Sequence, residues 1–258
     1  MTVTTRASIL LRIVAPLAAI LLLTSSWAPA AAATKTSGTS TELLAALDTA
    51  AEHPAGYKRS LFRHWTDADG DGCSTRAEVL IIEARGTPLV GDNCAVSGSW
   101  RSAYDGIITT FPGTFDIDHI VPLKEAWDSG AWAWTPALRQ RFANDLGDWR
   151  SLRAVTASSN RSKADKDPAQ WLPPRLAFRC TYANDWIAVK TRWSLRVDPA
   201  EREALEDLLV LCPTKTLTVN VLATVQPSPT PVPSPSPTPT PSASEVPSPT
   251  VTPAPTPS

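Results

Sequence analysis

The stretch FDIDHIVPL, residues 115–123, sets a histidine between an aspartate and a β-branched pair, with a second acid two residues further back. The chain holds three histidines in 258 residues, so the setting of this one decides how the rest is read. IDHIV is short and rich in β-branched residues, which predicts a strand ending at Pro122. Consecutive strand residues point to opposite faces, so a regular strand cannot aim both Asp118 and His119 at one ligand. The pair must stand at a strand end or a bulge. His53 and His64 lack such a setting and read as packing residues.

Outward from this stretch, LKEAWDSG and TPALRQRFANDL read as helices, the second with Pro136 in its first turn. WRSLRAV is a second strand, and SSNRSKADKDP opens a helix with capping serines that Pro168 limits. Upstream, TELLAALDTA from Thr41 has apolar residues at helical spacing. TRAEVLIIEARG carries a Thr-x-x-Glu capping box at Thr75 and a stop at Gly86. RLAFRCTYANDWIAVKTRWSL and PAEREALEDLLVL complete a chain of few strands and many helices. The fold class is α+β.

Both ends differ from this middle. Arg6 and Arg12 precede the apolar run IVAPLAAILLL, and small residues follow in APAAAAT. That is the layout of an export signal over residues 1–33, cleaved after Ala31 or Ala33. The run is too short for the ~20 apolar residues a spanning helix needs, so no stable membrane span is expected. From Gln226 onward the chain carries 13 of its 25 prolines. Such a segment favours extended, solvated backbone, so residues 223–258 read as a Pro/Ser/Thr-rich disordered tail, glycosylated or in contact with the cell wall. Residues 34–222 remain as the folded domain, of a size usual for one.

Its four cysteines are even in number in an exported chain, which favours disulfides. Three pairings exist, and the local ones, Cys73 with Cys94 and Cys180 with Cys212, are preferred. No C-x-x-C spacing is present, which disfavours a structural zinc site. The net charge of −1 hides an asymmetry: residues 34–148 hold 10 Lys and Arg against 16 Asp and Glu, residues 149–196 hold 10 against 3. A basic stretch interleaved with Trp149, Trp171, Trp186 and Trp193 is what a phosphate-backbone binder needs, although a solvated face is the commoner meaning.

DADGDGCSTRAE, residues 67–78, matches the calcium-loop pattern in full at Asp67, Asp69, Asp71, Gly72 and Glu78. Alternate carboxylates can wrap a hard cation and a distant Glu can close the site. Ser74 stands where an apolar residue usually pairs such a loop, and no clear helix precedes Asp67. An acidic turn that caps the next helix is the plainer reading.

Taken together, DIDHIVPLKEAW, FANDL and SLRAVTASSNRSKADKDPAQWLPP resemble the HNH endonuclease superfamily. The nearest likeness is to the exported bacterial branch related to the C-terminal nuclease domain of GmrSD-type restriction enzymes. The resemblance runs from about Asp71 to about Trp193, and DGCSTRAEVL looks like part of the same pattern. It implies a ββα-metal core with inserted and flanking helices. It implies His119 as general base, Asp118 and Asn160 as ligands of one divalent metal (Mg²⁺, with Mn²⁺ as a substitute), and Arg161, Lys163 and Lys166 on substrate phosphates. Asp116 is expected to orient His119 or to bind a water outside the metal's own ligands. One position departs from the pattern: where a bracing Asn is usual, just before Leu152, stands Ser151, with Asn144 as an alternative brace.

The resulting expectation is a secreted or cell-wall-associated, metal-dependent endonuclease. It would cut phosphodiester bonds in nucleic acid, DNA before RNA, with low sequence specificity, since no base-reading helix stands out. An alternative of another class is a calcium-stabilised cell-wall binding protein that uses residues 67–78 and the tail, its nuclease site decayed. Another hydrolase acting on a non-nucleotide phosphodiester is a third reading.

Overall fold

The computed structural model describes residues 34–222 and residue 224. The expected export signal, and the expected tail apart from that one residue, lie outside the described residues. Strand β1 (Thr34–Thr39) runs antiparallel to β8 (Thr216–Val221). Three further antiparallel pairs follow in chain order: β2 (Leu89–Val90) with β3 (Val96–Ser97), β4 (Trp100–Arg101) with β5 (Ile108–Thr109), and β6 (Phe115–His119) with β7 (Leu152–Thr156). The helices are α1 (Ser40–Ala46), α2 (Thr75–Glu83), α3 (Leu123–Asp128), α4 (Pro136–Ala143), α5 (Ala157–Lys163), α6 (Leu176–Arg192) and α7 (Pro199–Val210). The α+β class holds.

Several boundaries moved for local reasons. Ser74, not Thr75, caps α2 by accepting from the Ala77 amide. The Thr75 hydroxyl instead donates to the Thr66 carbonyl and to Asn144, so the expected Thr75 capping box does not form. Thr156 both ends β7 and caps α5 through the Ser159 amide, so strand passes into helix without a loop and the expected serine caps are displaced. The strand expected to reach Pro122 stops at His119. The β1–β8 pair was not expected at all. TLTVNV alternates, with Leu217 and Val219 buried, but a strand needs a partner, and this one lies at the other end of the domain.

Two apolar clusters hold the elements. The larger includes Trp127, Trp134, Trp186, Trp193, Tyr104, Phe62 and Phe142, and takes in α6 and one side of α7. The smaller packs Val79 and Leu80 of α2, with Trp100, against Phe115, Ile117, Leu152 and Ala154 of the β6–β7 pair. Because strand residues alternate, burying Phe115 and Ile117 against α2 turns Asp116 and Asp118 to the other face, where α5 lies. Cys73 and Cys94 stand at disulfide distance with Cα atoms 5.3 Å apart, as do Cys180 and Cys212 at 5.5 Å. No helix among the described residues is long and apolar enough to cross a membrane.

Candidate functional site

Helix α5 meets β6 through two side chains one helical turn apart. Asn160 Nδ2 donates to Asp116 Oδ2 at 3.1 Å, and Lys163 Nζ donates to Asp118 Oδ2 at 2.6 Å and to the His119 carbonyl at 2.7 Å. Residues i and i+3 of the helix thus match residues i and i+2 of the strand. Tyr104, fully buried, donates its hydroxyl to the same Asp118 Oδ2. Asp118 Oδ1 and Asn160 Oδ1 keep their lone pairs, since no hydrogen bond among the described residues reaches either.

His119 ends the strand and turns to the face opposite Asp118. Its ring lies between Trp65, 5.5 Å away at 27°, and Phe142, 6.2 Å away at 13°. Nε2 lies 2.9 Å from the Ala143 carbonyl oxygen. A carbonyl only accepts, so Nε2 carries the proton and Nδ1 presents a bare lone pair. Burial lowers the His119 pKa from 6.5 to about 3, which leaves the ring neutral at physiological pH. Burial likewise raises the Asp118 pKa and lowers that of Lys163, with their mutual attraction opposing both shifts. Tyr104 is pushed well above its usual value by burial and then by Asp118, so it stays a donor.

Asp118, His119, Asn160 and Arg161 border one cavity of about 370 Å³, together with Arg59 and Asp165. The structure therefore brings together the expected base, the two expected metal ligands and one expected phosphate contact. It does not bring in the other two lysines. Lys163 is fully buried beneath Asp118, so it cannot touch a phosphate; it neutralises the aspartate from behind. Lys166 is exposed, donates to the Ser162 carbonyl and borders a different cavity. Arg59 was missed because it is 60 residues from His119 in the chain and lies in no motif.

The brace is Asn144. Its Nδ2 donates to the carbonyls of Arg63 and Gln140 at 2.8 and 2.7 Å, and its Oδ1 accepts from the Thr66 amide and the Thr75 hydroxyl, both at 3.0 Å. Its neighbour Ala143 holds His119. Ser151 instead donates to Asp145 at 2.8 Å, so the shorter side chain supports the loop from one side only. His53 departs from its packing role: it is exposed, with its ring on Trp132.

Much of the basic charge of segment 149–196 is spent inside the fold, while Arg161 and Lys166 stay exposed. Arg150, Lys163, Lys190, Arg192 and Arg196 are buried, and Arg150, Arg153, Lys163, Lys190 and Arg192 pair with Asp148, Glu83 and Asp185, Asp118, Glu125 and Glu201, and Asp145. The acidic excess of one half of the chain meets the basic excess of the other inside the fold.

The loop of residues 67–78 stands apart, by a cavity of about 630 Å³ that Asn144 also borders. Asp67 accepts from the amides of Gly70 and Gly72 at 2.8 and 3.0 Å, and Asp71 from that of Cys73 at 2.7 Å. Gly70 and Gly72 take φ of 81° and 91°, which glycine adopts without a side-chain clash. The carboxylates of Asp67, Asp69 and Asp71 lie within 4.8 Å of one another. The Glu78 pKa is raised by burial and then by Asp69, Asp71 and Asp67, and its Oε2 is buried without a hydrogen-bond partner. The residues before Asp67 form only a short 3₁₀ turn at Arg59–Leu61, so a paired EF-hand is absent.

A family model described as GmrSD restriction endonucleases, C-terminal domain, matches residues 91–208. An uncharacterized secreted protein of Arthroderma benhamiae is 43% identical over 175 residues, covering 67% of this chain and 85% of that protein. No solved structure matches the chain.

Proposed function

Because the chain belongs to the family of GmrSD restriction endonuclease C-terminal domains, we propose that it is an exported, metal-dependent endonuclease hydrolysing phosphodiester bonds in nucleic acid, DNA before RNA, with β6, β7 and α5 as its ββα-metal core. The observation that carries this reading is that His119, Asp118 and Asn160 border one cavity, while no hydrogen bond among the described residues uses His119 Nδ1, Asp118 Oδ1 or Asn160 Oδ1. Two hard oxygens in a partly open pocket fit Mg²⁺, or Mn²⁺, with water and phosphate oxygens filling its remaining positions. A cation held by Asp118 and Asn160 would neutralise charge on the phosphate and assist departure of the 3′ oxygen.

His119 Nδ1 takes the proton of the attacking water, while Ala143 fixes the tautomer and the stacked rings fix the plane. An anionic phosphate in the cavity favours the imidazolium and raises the low pKa of the empty site. Lys163 and Tyr104 hold Asp118 in place through Oδ2 and leave Oδ1 to the metal. Arg161 and Arg59 line the cavity as phosphate contacts. Cleavage leaves 5′-phosphate and 3′-hydroxyl ends, with low sequence specificity.

The Asp67–Glu78 loop is a second metal site in this reading, for Ca²⁺, favoured by the orphaned Glu78 Oε2 beside three carboxylates. The alternative of a wall-binding protein with a decayed nuclease site fits less well, since decay would not preserve three unspent donor atoms around one cavity.

The experiment is cleavage of supercoiled plasmid and of RNA by the disulfide-formed protein, with Mg²⁺, Mn²⁺, Ca²⁺ or EDTA, beside His119→Ala. Cutting that requires metal and His119 is expected. A folded protein that cuts neither substrate with any metal sinks the proposal.

A further inference from the structure

A different group of carboxylates borders a cavity that shares Ala164 and Asp165 with that of His119. Glu52, Glu125 and Asp167 each bring one oxygen, all within 4.8 Å of one another, on a cavity of about 280 Å³. Such a cluster alone is no site. A separate observation marks this one: Asp128, whose side chain is 3% exposed, borders the same cavity with Oδ1 buried and without a hydrogen-bond partner. An unsatisfied buried acceptor is costly, and a native structure keeps one where a ligand meets it.

The other oxygens show the same division. Asp128 Oδ2 is held by Lys124, Glu125 Oε1 by Lys190 at 2.6 Å, and Asp167 Oδ1 by the amides of Ala169 and Gln170. No hydrogen bond among the described residues reaches the second oxygen of any of the three. Lys124 and Lys190 offset only part of this charge, for Lys190 is shared with Glu201 and Lys166 is turned to the Ser162 carbonyl. Burial first, and mutual repulsion after it, raises the pKa of Glu52 and, against opposing contacts, those of Asp128 and Asp167.

We propose that Glu52, Glu125, Asp128 and Asp167 form a non-catalytic site for a hard divalent cation, Ca²⁺. Oxygens on opposite sides of one ion at roughly 2.4 Å stand roughly 4.8 Å apart, and those of Glu52, Glu125 and Asp167 lie within that limit of one another. Glu125 sits on α3, directly after His119's strand, and Asp167 follows α5, which carries Asn160. Ala164 and Asp165 border both this cavity and that of His119. The ion therefore clamps the two elements that flank the candidate catalytic groups and positions them.

The test uses the full, disulfide-formed chain stripped with EDTA, with Ca²⁺ equivalents counted by equilibrium dialysis of the radiolabelled ion and Tm read with and without Ca²⁺. Glu52→Gln and Asp167→Asn each should lose one equivalent, or bind it at least tenfold more weakly, while Asp69→Asn loses a different one. Asp167→Asn keeps its capping oxygen, so its metal-free Tm should equal or exceed that of the parent because repulsion is relieved. Parental equivalents and a parental Ca²⁺-dependent Tm rise in both variants would overturn the site. Should Asp167→Asn not fold, Glu52→Gln, at an exposed residue, decides the matter alone. None of these readouts depends on cleavage, so loss of the nuclease reading would leave this one standing.

Discussion

The His119 cavity and the Asp67–Glu78 loop offer the same donor atoms in opposite ways. In the loop, the carboxylates lie within a dozen residues; Asp67, Asp69 and Asp71 are exposed, and amides of their own turn orient Asp67 and Asp71. Around His119, the donors come from a strand and a helix about 40 residues apart in the chain, and buried groups brought from elsewhere hold them: Tyr104, Lys163 and the Ala143 carbonyl. A local site can be written as a motif. A buried site depends on whatever neutralises and aims its groups, and those partners lie far apart in the chain. The two are also joined, since Asn144 bonds the neck of the loop at Thr66 and Thr75 and follows the residue that orients His119.

The sharpest break of this contrast is at the ends of the buried network. Replacing His119 by Ala should cut plasmid cleavage by about 10²–10⁴-fold, the usual contribution of a general base, while far-ultraviolet circular dichroism stays native. Next comes Lys163→Met, which strands a buried Asp118 charge. It should destabilise by about 3–5 kcal/mol in urea titrations; Asp69→Asn in the exposed loop, without metal, should change stability by less than ~0.5 kcal/mol. Equal effects of the two would mean that the buried pair is not a structural support.

Acid should separate the regions as well. His119 has a folded pKa of about 3 against 6.5 for the free side chain, so between those values the unfolded chain binds the extra proton. Its contribution is complete above about pH 6.5 and is lost as pH falls toward 3, by up to about 1.4 kcal/mol per pH unit. His119→Asn should flatten that part of the urea-midpoint profile between pH 7 and 4.5 in metal-free protein; parallel profiles would refute the assignment. The smallest effect belongs to the loop: saturating Ca²⁺ should raise Tm, by about 2.7 kcal/mol of stability at a hundredfold excess over Kd, and Asp69→Asn should remove the loop's share of that rise. An unchanged rise in Asp69→Asn would return the loop to a helix-capping turn.

Much of this was legible in the chain. DIDHIVPL and NRSKADKDP carry their own strand and helix signals, and the rule of alternation asked for a strand end or a bulge at Asp118 and His119; the strand ends at His119, short of Pro122. The motif on residues 67–78 could be read because all its donors are neighbours. The reading went astray where a property belonged to a pair. Counted along the chain, the charge of 149–196 suits a nucleic-acid face or a solvated one; in the fold Lys163, Lys190 and Arg192 meet their acids inside, and Arg161 remains on the cavity. The sequence leaves Ser151 and Asn144 both open as the brace; reach decides for Asn144, which spans four partners.

By itself, the sequence determined the kind of groups present, their local backbone and the family, because caps, turns and strand alternation act over a few residues. The tertiary structure alone decided which charges are buried together, which nitrogen of His119 is bare, and that Arg59 and Asn160 share a cavity with it. Those depend on desolvation and on partners far away in the chain, and desolvation is a property of the packed interior.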